Sequence, residues 1–255
     1  MPFRPVTPEK LSSAVVRQVE ELILRGILQP GARLPSEREL AERLGVSRPS
    51  LRDAIAQLQE AGLLSTKAGA GVFVAGVLGS AFSPALTALF ARHDEAAMDY
   101  ISFRRDMEGL AAERAARLGS DTDLAVISAI FAKMQTAHDT RSAEDEAALD
   151  AKFHMAIIEA SHNVVMLHMM RSMYELLRGG VFYNRQMMFK QQTKRAVLLD
   201  QHRTIHDALM ARNAPAARAA VEAHLTYVER ALMDAQRAER HEDVAQQRLD
   251  HELDG

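Results

Sequence analysis

Apolar residues recur every three to four positions along most of the chain, the spacing of helices that bury one face. Leu11, Val15, Val19, Leu22 and Ile23 form the first such stripe, behind a start signal in which Thr7 offers a capping hydroxyl and Pro8 takes the first helical position. This helix is expected to run to about Gly26, where Gln29-Pro30-Gly31 makes a turn. Ser36-Glu37-Arg38-Glu39 then has capping-box spacing, in which serine and glutamate satisfy each other's backbone donors, and opens a short helix ending at Leu44. Gly45 turns the chain, and Ser47 caps a third helix that reaches about Ala61 before Gly62 stops it. Two short helices around a three-residue turn predict a helix-turn-helix. Residues 63–66 and 72–74 read as two strands around Lys67-Ala68-Gly69-Ala70-Gly71, a wing with a glycine-rich tip.

Residues 76–84 are small, turn-forming and poor in charge, the composition of a linker. Beyond them the helical period returns over 99–118, 122–138, 143–161, 164 to about 182, 193–210 and 214–240. Ser120-Asp121, His162-Asn163 and Asn213-Ala214-Pro215 break the pattern, and no strand signal of comparable strength competes. The fold class expected is mostly α: a winged helix-turn-helix over 1–75, a linker over 76–84, and an all-α bundle of about six helices over 85–240. The tail, 241–255, is charged and weakly apolar and is expected to fray.

Composition narrows this picture. A length of 255 residues admits two ordinary domains, and 13 Met with no Trp suits adaptable helical packing. The absence of cysteine excludes disulfides, thiolate metal sites and a cysteine nucleophile. No apolar run approaches the roughly 20 residues that span a bilayer, and the first ten residues lack the apolar core of a secretory signal, so a cytoplasmic protein is expected. The net charge of −3 is unevenly divided: residues 1–75 hold 10 Lys and Arg against 8 Asp and Glu, and the excess of acid lies beyond them.

Several of those arginines cluster in the helix-turn-helix. Arg48, Ser50 and Arg52 lie at the start of the third helix, where a recognition helix presents side chains to a major groove, and arginine suits guanine or phosphate. A solvated helical corner would look similar in any one of these features. Taken together, the run from Pro30 to Ala41, PGARLPSERELA, with Leu44-Gly45-Val46-Ser47-Arg48 and Gly69-Ala70-Gly71-Val72-Phe73-Val74, resembles the GntR-family winged helix. The resemblance implies contact with a double-stranded DNA operator by Arg38, Arg48, Ser50 and Arg52, with Gly69 at the wing tip.

In the bundle, Asp150 and His154 share a helix face at i,i+4, while His202 and His224 lie on later helices. One carboxylate and three imidazoles make a possible divalent-metal site, although i,i+4 pairs such as His202 and His206 also arise by accident among ten histidines. Asp150-Ala151-Lys152-Phe153-His154, His202 four before His206, and His224-Leu225 resemble the ligand pattern of the FCD effector domain in the FadR-type branch of GntR regulators. By that resemblance the four residues hold a divalent metal, zinc first and nickel or manganese otherwise, with open positions for an effector's carboxylate. Arg104 resembles the family's pocket arginine, which would clamp that carboxylate; the alternative is an intrahelical pair with Glu108. The segments from Phe153 to Val165 and from Gln201 to His206 look like those of lactate- and pyruvate-responsive members, pointing to a small 2-hydroxy or 2-oxo acid, while His206 stands where the resemblance leads one to expect a bulky apolar or aromatic residue.

Three functions are thereby open. The first is a ligand-responsive transcriptional repressor or activator, with a repressor expected, a homodimer on a pseudo-palindrome controlled by a small carboxylate effector. The second is a metalloenzyme, for which only Glu159 and His206 offer a base. The third is a DNA-binding protein whose bundle dimerises without sensing, its polar cluster a satisfied core network.

Overall fold

The computed structural model describes residues 10–67, 69–76, 83–90, 92–140, 142–178 and 192–254. The chain divides into two compact units, Met1–Ala81 and Phe82–Gly255. The expected helix start at Thr7 and Pro8, most of the linker, and the end of the helix near Phe182 lie outside the described residues.

In the N-terminal unit, α1 (Leu11–Leu24) buries Ser12, Val15, Val19 and Ile23, while Leu11 faces solvent. The stripe is therefore rotated by one residue at its start, because Ser12 and Val15, not Leu11, continue the i, i+3, i+4 row toward Val19. α2 (Glu37–Leu44) is capped by Ser36, whose hydroxyl accepts from the Glu39 amide at 3.3 Å, and ends on Gly45 at φ +64°. The box is only half closed. Glu39 turns its carboxylate to Arg43 at 2.6 Å rather than back to the cap. α3 (Arg48–Glu60) is capped by Ser47 and buries Leu51, Ala54, Ile55 and Leu58 against α1. β1 (Leu64–Lys67) and β2 (Gly71–Val74) pair antiparallel from Leu64↔Val74 to Lys67↔Gly71, each seating one core residue, Leu64 or Val74.

The second unit is helical throughout its described residues, apart from short turns. It comprises α4 (Pro84–Phe90), α5 (Asp94–Leu118), α6 (Asp121–Thr140), α7 (Ala143–Ala160), α8 (Val164–Arg178), α9 (Gln192–Met210) and α10 (Ala214–Asp254). α5 and α10 lie along each other, with buried Ala111, Ala112, Ala115 and Ala116 facing a row that includes Val221, Leu225 and Val228. Small side chains allow that approach, and a Cβ at Gly109 would come within 3.2 Å of Glu222 Cγ. α7 packs on α5 and α6, and α9 on α6 and α10, so four helices, α5, α7, α9 and α10, close around one centre.

Two features depart from expectation. The seven-residue α4 precedes the six long helices, and α10 continues as helix to Asp254, exposed over 241–252, through the tail expected to fray. Residues 241–254 contain neither glycine nor proline and carry the i,i+4 pair Gln246–Asp250 at 2.8 Å, so nothing local stops the turn. No helix among the described residues is long and apolar enough to cross a membrane.

Candidate functional site

Asp150 and His154 come from α7, His202 from α9 and His224 from α10; each is at most 5 % exposed. One ligand atom from each lies within 4.8 Å of the others. His202 Nε2 stands 3.0 Å from Asp150 Oδ1 and 3.3 Å from His154 Nε2, and His154 Nε2 is 3.7 Å from the same carboxylate oxygen. The rings of His154 and His224 stack at 5.2 Å, and Phe153 meets His154 and His202 edge-on.

Each outer ring nitrogen faces a partner. His202 Nδ1 donates to the Leu198 carbonyl at 2.7 Å, and His224 Nδ1 to Gln201 Oε1 at 3.0 Å. His154 Nδ1 approaches Glu108 Oε2 to 2.7 Å, a short contact whose line is oblique for an N–H···O bond. Partners of this kind fix the tautomer and leave Nε2 as the inward lone pair. Burial pushes His154 below the ordinary imidazole value, against the pull of Glu108 and Asp150. Burial, then the neighbouring His202 and His154, push His224 well below it. Three imidazoles whose outer nitrogens face acceptors, gathered with one carboxylate so that one ligand atom of each lies within 4.8 Å of the others, are the donor set that a borderline divalent ion takes, so the residues fit a metal.

On α5, Arg104 and Glu108 sit one helical turn apart and are almost wholly buried. Arg104 Nε donates to Glu108 Oε1 at 2.6 Å, and its Nη2 to the Tyr174 hydroxyl at 2.9 Å, which itself donates to Glu108 Oε1 at 2.8 Å. The guanidinium lies over the rings of Tyr100 and Tyr174. Burial would raise the Glu108 carboxyl, yet Arg104 and then His154 outweigh it and hold the acid far below the usual carboxylate range. The intrahelical pair read as the alternative for Arg104 is thus present, and it reaches the histidine cluster through Glu108. A void beside His202, walled by Met134, Leu199, Arg195 and Glu146, measures only about 10 Å³, the room of one water molecule.

His206 stands apart from the cluster, stacked on Phe131 at 4.8 Å and bonded to Ser128 at 3.0 Å. Glu159 pairs with Arg171 at 2.7 Å. Neither candidate base therefore faces the cluster. Tyr174 and Gln201 were not foreseen, because a tyrosine on α8 and a glutamine beside a ligand carry no spacing signal.

In the N-terminal unit, Arg38, Arg48 and Arg52 are exposed. Arg52 Nε reaches Glu37 Oε2 at 2.8 Å and Arg48 lies 3.9 Å from the same oxygen, so one acid on α2 holds two arginines of α3. Ser50 is bound into the cap, its hydroxyl 2.9 Å from that of Ser47. Gly69 takes φ +71° at the hairpin tip, a left-handed value that glycine adopts without strain.

Comparison with known proteins follows the same division. Residues 11–74 match the family of bacterial regulatory proteins named gntR, and residues 99–227 match the FCD domain. The putative L-lactate dehydrogenase operon regulatory protein of Escherichia coli K12 is 35 % identical over 231 residues, 88 % of this chain and 86 % of that one. The Glc operon transcriptional activator of the same strain is 32 % identical over 88 % of this chain and 89 % of its own. The regulator LutR of Bacillus subtilis is 31 % identical over 83 % and 96 %. Among solved structures, a GntR protein of Streptococcus agalactiae aligns with a TM-score of 0.52 at 23 % identity, covering 86 % of this chain and 99 % of that one, a likeness of fold.

Proposed function

This chain belongs to the GntR family, in the FadR-type branch that carries an FCD domain, and from that premise we propose that it is a repressor whose hold on operator DNA is set by a small 2-hydroxy or 2-oxo carboxylic acid bound in the helical bundle. The relatives and the family are transcriptional regulators rather than enzymes. One observation carries the sensing half: four buried ligand atoms within 4.8 Å, joined through Glu108 to a buried arginine.

In this reading Asp150, His154, His202 and His224 hold a divalent ion, zinc first among the candidates and nickel or manganese after it. The ion, when bound, supplies Lewis-acidic positions that take a carboxylate. The protein does the rest. Gln201, Leu198 and Glu108 hold the imidazoles in one tautomer, Phe153 keeps the centre dry, and Arg104 with Tyr174 offers converging donors to an acid. Arg38, Arg48, Ser50, Arg52 and Gly69 read and hold the operator, as a homodimer placing two α3 helices about one DNA turn apart in the cytoplasm. Coupling of about 1–3 kcal/mol between the sites would change operator affinity roughly 5- to 150-fold.

The complete pairing of Arg104 with Glu108 and Tyr174 favours a second reading, a structural bundle that senses nothing. Thermal shift with L-lactate, D-lactate, glycolate and pyruvate, on native and chelator-stripped protein, separates them. A ligand at 100 times its dissociation constant adds about 2.7 kcal/mol. A shift with one acid that disappears on stripping, with loss of operator binding, supports the repressor; no shift with any acid supports the structural bundle.

A further inference from the structure

The Glu108 carboxylate bridges two groups that the proposed function assigns to different tasks. Its Oε1 lies 2.6 Å from Arg104 Nε and accepts the Tyr174 hydroxyl, while its Oε2 lies 2.7 Å from Nδ1 of His154. Arg104 and Glu108 are 1 % and 2 % exposed, so bulk water supplies neither with a counter-charge. A guanidinium in such a place holds a carboxylate at all times, since leaving it unmatched costs far more than the pair itself gains. An external acid that binds the Nε–Nη2 edge of Arg104 must take the position that Glu108 occupies.

We propose that Glu108 is a built-in competitor of the effector: it fills the carboxylate position on Arg104 in the ligand-free protein and, when an external carboxylate replaces it, gives up Arg104 and keeps its contact with Nδ1 of His154. The inference rests on the assignment of Arg104 as the effector clamp. It makes Glu108 a positioning residue that sets acid affinity at one end and steadies a ligand imidazole at the other. Binding of an acid and the hold of the four-residue cluster are then linked through a single side chain. The chemical class of ligand follows from the position itself, which is two donors of a planar guanidinium and one phenol hydroxyl, matched by a carboxylate.

The test uses the full chain, stripped of metal so that direct ligation plays no part, with sodium acetate as probe and sodium chloride as the ionic control. Wild type, Glu108→Gln, and the double replacement Arg104→Gln with Glu108→Gln are compared by thermal shift and calorimetry. Glu108→Gln takes the matching charge from a buried arginine, so acetate should raise its Tm and bind about 10- to 100-fold more tightly than to wild type. The double replacement, with no charge left to satisfy, should fold and show no acetate response. In a separate zinc competition, Glu108→Gln should weaken zinc about 10- to 100-fold through the loss of support at His154.

If wild type binds the acids of the panel and Glu108→Gln binds acetate no better, the competitor is overturned while the sensing function stands. If wild type binds none and Glu108→Gln gains acetate, Glu108 is a permanent partner of Arg104 that no acid displaces, and the competitor falls together with the sensing function. No acid binding in either overturns both. A Glu108→Gln chain that stays unfolded at every acetate concentration, beside a folded double variant, overturns the competitor, and so does unchanged zinc affinity for its link to His154.

Discussion

Glu37 at the first turn of α2 holds Arg52 of α3 at 2.8 Å, an acid poised against the helix expected to read DNA. Both side chains are substantially exposed, so the pair itself adds little to stability, about 0–1 kcal/mol. Its effect falls on the arginine, which is aimed by the contact and partly neutralised by it. Glu37→Gln should therefore leave Tm nearly unchanged, raise affinity for non-operator DNA a few-fold, and steepen its salt dependence by about one phosphate contact. Electrophoretic titration at two or more salt concentrations checks this; weaker binding to all DNA would show that Glu37 serves only to orient Arg52.

Arg48→Ala removes a side chain that the structure leaves exposed at the start of α3. Operator affinity should fall by about 1–3 kcal/mol relative to random DNA, with acid binding in the bundle intact. Retained operator preference would take Arg48 out of the reading set.

His202→Ala deletes one Nε2 from the buried cluster and the bond to Leu198. Metal content after dialysis should drop to background, and operator affinity without effector should stay close to wild type while the response to acid is lost. An unaltered response would defeat the metal-centre reading.

Gln201→Ala leaves all four candidate ligands in place but removes the acceptor at His224 Nδ1, 3.0 Å away. Outer partners of this kind are worth about 10- to 100-fold in metal affinity. A chelator competition giving wild-type affinity would show that the tautomer of His224 is fixed by burial alone.

Asp123 closes a capping box at the start of α6: its carboxylate accepts from the Ser120 amide at 2.8 Å, and its own amide donates to the Ser120 hydroxyl at 3.1 Å. Burial would raise its carboxyl, but the Ser120 bonds and then His162 lower it below the ordinary value of 3.8. A depressed carboxyl adds stability that is present above its unfolded pKa and is lost as pH falls through the folded one. Asp123→Asn should cost about 1 kcal/mol at pH 7, with the gap from wild type closing below about pH 4. A gap independent of pH would mean that the loss comes from packing.

The sequence foretold the caps at Ser36 and Ser47, the glycine stop at residue 45, and the i,i+4 pair of Asp150 and His154. These are local signals: a cap acts within one turn, and i,i+4 residues share a face in any helix. The half-open box at Glu39 shows the limit even there, since an exposed carboxylate chooses among donors of similar worth, and Arg43 prevails.

Local pattern was thus enough for the elements, for their division into a reading head and a bundle, and for the residue types able to bind metal. Which polar side chains meet was settled by how the helices pack. Tyr174 joins Arg104 across 70 positions, and His202 meets His154 across 48, through the packing of helices whose order in the chain does not reveal their neighbours. The same packing expels water from Arg104, Glu108 and His154, so that an ordinary i,i+4 pair becomes a buried charge that must always be matched. Burial, which depends on the whole bundle, converts that spacing into a constraint on chemistry.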